Sequence, residues 1–106
     1  MIHNKLVRDR IPEIIRASGK HPKYRIVAGN DLQEALLEKL REESDELRRA
    51  DENERPEELA DLLEIIRGLA EHLGLTMSDL NQIADKKRDK RGGFDQGIWL
   101  EAVEGF

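Results

Sequence analysis

Two consecutive stretches of this chain repeat leucine and isoleucine at helical spacing, and both carry carboxylates inside the apolar stripe. In residues 31–50, with Leu36 as zero, a step of about 100° per residue puts Leu32, Leu40 and Leu47 within about 40° of it. The same step of about 100° puts Glu43 about 20° from Leu36, within the stripe, and Glu46 about 80° away at its edge. In residues 56–73, with Leu62 as zero, Leu59, Ile65, Ile66 and Leu69 all fall within about 60°, and Leu73 continues the apolar face. Glu58 then lies about 40° away, within the stripe, and Asp61 about 100° away at its rim. Each helix thus presents one acid in its apolar face and a second one three residues later. Charged groups are rarely buried unless paired, so this pattern demands a partner for the acids.

The flanking residues punctuate these helices. Pro12 fits the first turn of a helix running to Ser18, where its missing N–H costs nothing, and Gly19 ends it. Residues 20–29 read as a loop or short extended piece anchored by Tyr24, Ile26 and Val27. Asn30 or Asp31 is the expected cap of the first long helix. Asp51 to Arg55 is a polar break, and Pro56 with Glu57 and Glu58 suits the opening turn of the second. Gly74 stops that helix. Thr76 with Asp79 predicts a capping box opening a fourth helix to about Arg88. Arg91-Gly92-Gly93-Phe94 reads as a turn, and the tail from Ile98 to Phe106 as one or two further helical turns. The 106 residues fit one domain, 1–106. The expected fold is all-α: an antiparallel helical hairpin with short flanking helices. Two such hairpins complete a four-helix-bundle-like core by dimerisation, because one chain has little material to cover both faces of the long helices. Ile98, Trp99, Leu100, Val103 and Phe106 are expected to pack across the partner.

Charge narrows the function. Residues 31–64 hold fourteen Asp/Glu against five Lys/Arg, whereas residues 1–30 hold seven Lys/Arg against two Asp/Glu. So acidic a centre repels a nucleic-acid backbone and suits a divalent cation. There is no cysteine, and His3, His21 and His72 stand far apart in sequence, so oxygen ligands are the ones on offer. Four carboxylates converging from two antiparallel helices repel one another, and magnesium, which prefers oxygen, is the simplest compensation. Manganese is an expected substitute. The apolar runs are too short to span a membrane and the N-terminal sequence is charged, so no membrane is expected and the cytoplasm is the expected location.

The basic groups have a place in the same chemistry. Lys86, Lys87, Arg88, Lys90 and Arg91 cluster at the end of the fourth helix, with Lys87 and Arg91 at i,i+4 spacing. Lys5 and Arg8 form a second pair, and arginine suits forked contact with phosphate oxygens. Gly92-Gly93 allows either a close backbone approach to phosphate or a simple turn. No Walker-type glycine run ending in Lys-Ser/Thr is present. Phe94, Trp99 and Tyr24 are the aromatic groups on offer for stacking on a base, or for packing.

Glu42-Glu43-x-x-Glu46 followed by Glu58-x-x-Asp61 resembles the signature of the MazG-like, all-α NTP pyrophosphohydrolases. Asn4-Lys5-Leu6-Val7-Arg8-Asp9-Arg10-Ile11-Pro12-Glu13-Ile14-Ile15 looks like the opening of a small house-cleaning branch of that superfamily. Lys87-Arg88-x-x-Arg91-Gly92-Gly93-Phe94 looks like its C-terminal motif. The likeness implies cleavage of a nucleoside triphosphate, canonical or not, between the α and β phosphates, giving a monophosphate and pyrophosphate. It implies magnesium held by Glu43, Glu46, Glu58 and Asp61, with Glu42 as the additional acid that orients or deprotonates water. It also implies a homodimer, or a tetramer made of two dimers. Eleven residues separate Glu46 from Glu58, the short end for this superfamily, as a tight hairpin without an insertion requires. Two other readings remain open here: a phosphoribosyl-ATP pyrophosphohydrolase, which shares the acid arrangement, and a non-enzymatic helical interaction module.

Overall fold

The computed structural model describes residues 4–105; the expectations for His3 and for Phe106 fall outside them. Four helices follow in order: α1 (Ile11–Ala17), α2 (Gly29–Arg49), α3 (Arg55–His72) and α4 (Met77–Arg91). No strand occurs among the described residues. Pro12 and Pro56 stand in the first turns of α1 and α3, as their lack of an N–H permits. Thr76 and Asp79 form a reciprocal capping box: Asp79 N–H donates to Thr76 Oγ1 at 3.0 Å, and Thr76 N–H donates to Asp79 Oδ2 at 2.9 Å.

The hairpin of α2 and α3 is the centre of the fold, and α4 touches α3 much more lightly. Its antiparallel sense is visible in its contacts. Leu36, early in α2, lies against Gly68, late in α3, so close that a Cβ on Gly68 would stand 3.2 Å from Leu36 Cδ2. Glu43, further along α2, meets Glu58 and Asp61 near the start of α3. Leu36, Ile65 and Ala70 are buried, and Leu62 and Leu69 half-buried.

Several local features add to or correct the expectations. Leu59, Ile66 and Leu73 of the apolar face of α3 stay open to solvent in the single chain, as does Leu63. The side of α3 facing α2 is turned toward Ile65, so only part of the apolar arc is used. α2 starts at Gly29, earlier than predicted, after Ala28 in extended conformation and without a side-chain cap, so neither Asn30 nor Asp31 caps it. α4 runs on to Arg91, and Gly92 ends it at φ +80°, a conformation favourable only to glycine. The tail from Ile98 is not helical, and Ile98, Trp99, Leu100 and Val103 are exposed. Ile26 anchors nothing, whereas Tyr24 is engaged by Arg16, whose Nη2 donates to the phenol oxygen at 3.3 Å.

The molecule is open for its size. Its radius of gyration is 18.4 Å, against about 13 Å for a compact chain of this length. Its accessible surface is 9915 Å², against about 6,100 Å² for a compact protein of its mass. No helix among the described residues is long and apolar enough to cross a membrane.

Candidate metal centre

The acids meet where the hairpin's apolar seam gives way to polar side chains near its loop. One carboxylate oxygen each from Glu43, Glu58 and Asp61 lie within 4.8 Å of one another. α2 supplies the first from its interior, and the opening turns of α3 supply the other two, three residues apart and so on one side of the helix. Glu43 keeps only 13% of its side chain exposed, so it sits in the interface as its place in the stripe predicted. Glu43 Oε2 and Glu58 Oε2 are both shielded from solvent and have no hydrogen-bond partner. Buried polar atoms are nearly always satisfied, so these two oxygens call for a cation or for a proton shared between the two carboxyls.

The electrostatics agree with the geometry. Burial pushes the Glu58 carboxyl above its ordinary value, and the charges of Glu46, Glu43 and Asp61 push it further. The local compensation is small. Lys39 Nζ stands 3.8 Å from Glu43 Oε1, and Arg8 Nη2 donates to Asp61 Oδ1 at 2.8 Å. Three oxygen donors on a helix pair, with no nitrogen or sulfur ligand among them, are a donor set that suits a hard divalent cation.

The structure sorts the predicted residues into groups. Three of the four expected ligands converge. Glu46 is exposed and acts on Glu58 through its charge, and both line a concavity of about 250 Å³ with Arg49, Ala50 and Glu54. Glu42 faces the other way, into a hollow of about 110 Å³ shared with Asn4, Lys5, Leu6, Ala35, Glu38 and Lys39. Lys5 therefore lies beside Glu42 of α2, and Arg8 is joined to Asp61 of α3. Lys87 and Arg91 are exposed on the last turns of α4, and no ion pair among the described residues joins them to the acids. Phe94 and Trp99 are 99% and 87% exposed and line neither hollow. Sequence reasoning missed Lys39; its i,i+4 spacing from Glu43 was the available signal.

No family model matches the chain, and no solved structure does. A protein of Mycolicibacterium smegmatis (strain ATCC 700084 / mc(2)155), described as uncharacterized, is 55% identical over 47 residues. That match covers 44% of this chain and 48% of the relative, so the chain spans about half the length of the curated relative it matches.

Proposed function

We propose that this chain is a magnesium-dependent nucleoside triphosphate pyrophosphohydrolase of the MazG-like kind. The observation that carries this reading is the meeting of Glu43, Glu58 and Asp61 with two shielded carboxylate oxygens unpartnered. Those three residues would hold the cation, with Glu46 adding negative charge at the margin. A bound divalent cation would supply Lewis acidity toward phosphate oxygens and toward the attacking water. Water attacks the α phosphorus in line, the bond from that phosphorus to the bridging oxygen breaks, and pyrophosphate leaves.

The chain's own groups have these roles. Glu42 or one of the triad acids accepts the proton of the water. Lys5 and Arg8, beside the acids, neutralise phosphate charge; Lys87 and Arg91 do so from a second copy or after α4 moves. Phe94 and Trp99 are the stacking groups for a base. A homodimer, or a dimer of dimers, is the expected assembly. Its support is the excess of exposed surface and the open row of Leu59, Leu63, Ile66 and Leu73 on α3, which a second hairpin would cover. The preferred base and sugar are part of what the assay below ranks.

The test is incubation with a panel of canonical and modified NTPs and dNTPs, and phosphoribosyl-ATP, with magnesium or with EDTA. Products are resolved by phosphorus NMR. Monophosphate and pyrophosphate, formed only with magnesium, are expected. Glu43→Gln is expected to slow turnover about 10²- to 10³-fold, the loss typical of removing one preorganised electrostatic contact. Release of orthophosphate and a diphosphate would place the cut at a different bond and end this reading. Turnover confined to phosphoribosyl-ATP would move the chain to that neighbouring activity.

A further inference from the structure

Every side-chain hydrogen bond but one among the described residues joins groups within eight positions of each other. The exception is Arg8 to Asp61, fifty-three positions apart, with Nη2 donating to Oδ1 at 2.8 Å. It ties the segment before α1 to one of the three acids of the candidate metal centre. The same segment reaches the other helix, because Asn4, Lys5 and Leu6 line a hollow with Ala35, Lys39 and Glu42 of α2. The N-terminal strap thus lies across the hairpin and delivers one guanidinium to the acids.

That contact is built to be exchanged. A guanidinium carries five N–H donors and grips a carboxylate best with two of them in parallel. Here a single Nη2 meets a single oxygen, and the side chains of Arg8 and Asp61 remain 58% and 44% exposed. Ion pairs of that exposure are weak. Asp61 has a monovalent partner held loosely, while the neighbouring Glu58 has none.

We propose that Arg8 is an internal stand-in cation for Asp61, displaced when a divalent cation binds and thereby freed to take a phosphate oxygen. This rests on the reading of Glu43, Glu58 and Asp61 as cation ligands. Arg8 is then a positioning residue that orders binding: the cation vacates the guanidinium, and the phosphate that follows captures it. In the cation-free protein Arg8 and the divalent ion compete for one carboxylate; with phosphate present they cooperate.

Calorimetric titration of wild type, Arg8→Gln and Arg8→Lys with manganese, and then with tripolyphosphate at saturating manganese, tests this. Arg8→Gln is expected to bind manganese about two- to fivefold more tightly, the scale of an exposed ion pair removed from competition. It should bind tripolyphosphate about tenfold more weakly, as loss of a hydrogen bond between charged groups predicts. Arg8→Lys should stay near wild type for manganese. In the wild type, magnesium should shift the side-chain ¹⁵N resonances of Arg8. Unchanged or weaker manganese binding by Arg8→Gln overturns the proposal, and so does unchanged tripolyphosphate binding. Failure of the underlying cation reading looks different: wild type takes up no manganese, or uptake survives Glu43→Gln with Glu58→Gln, which overturns both.

Discussion

The two ends of the α2/α3 hairpin bury side chains in the same helix pair and close them by opposite means. At one end Leu36 fills the space above Gly68, and the absence of a Cβ there lets the helices approach. At the other end Glu43 meets Glu58 and Asp61 at the same interface, with charge where carbon would be expected. The contact of Leu36 with Gly68 is made within the chain. Dispersion and exclusion of water hold it, and no ligand is needed. The acidic end holds two orphaned oxygens and a carboxyl pushed up by burial and like charges. A helix pair can stabilise itself at one end and hold a destabilising cluster at the other, and that unevenness is the usual mark of a binding site.

The comparison can be broken at either end. The largest effect is expected from Leu36→Ala, which leaves a cavity above Gly68 and should lower unfolding stability by about 2–5 kcal/mol in urea titration. Manganese affinity of the protein that remains folded should not change. If Leu36→Ala instead removed cation binding without loss of stability, the two ends would not be separable.

A smaller effect of the opposite sign is expected at Glu58. Its carboxyl is raised above the ordinary value of 4.5, so the folded cation-free protein holds this proton more tightly than the unfolded chain. The proton-linked stability is therefore fully present below pH 4.5 and is lost as pH rises through the raised value. Glu58→Gln should flatten that segment of the stability–pH curve and raise the melting temperature of the cation-free protein at neutral pH. On the proposed cation reading, added manganese should raise the melting temperature of wild type, and Glu58→Gln should remove that rise. A melting temperature lowered by Glu58→Gln would mean that the carboxylate is satisfied as it stands.

The smallest effect belongs to a part of the molecule remote from both ends. Thr76→Ala deletes the cap of α4 and should lower stability by about 1 kcal/mol, measured by thermal unfolding, with manganese affinity unaltered. A change in that affinity would tie α4 to the acidic end more closely than its light packing on α3 suggests.

Much of this was legible in the residues. Glu43 and Glu58 stood out because a period of 3.6 residues puts them where leucine belongs. The Thr76–Asp79 box and the prolines at 12 and 56 were readable because capping and proline geometry are local. The same periodicity put Leu59, Ile66 and Leu73 on one face but could not say what covers them. It marks how wide an apolar arc is, and the neighbouring helix decides which part of the arc is covered. The tail from Ile98 was apolar enough to suggest helix, but a helix of that length needs a surface to pack on, and the described chain offers it none.

The four helices, the proline and Thr76–Asp79 starts and the placement of acids within apolar stripes were determined by the sequence alone, since each depends on residues within a few turns of one another. Tertiary structure decided the rest. It brought three of the four acids together, left Glu46 to act through its field, turned Glu42 toward Lys5, and set Arg8 on Asp61 across fifty-three positions. Those outcomes depend on how two helices rotate against each other and on where the strap before α1 crosses them, and no local period encodes either.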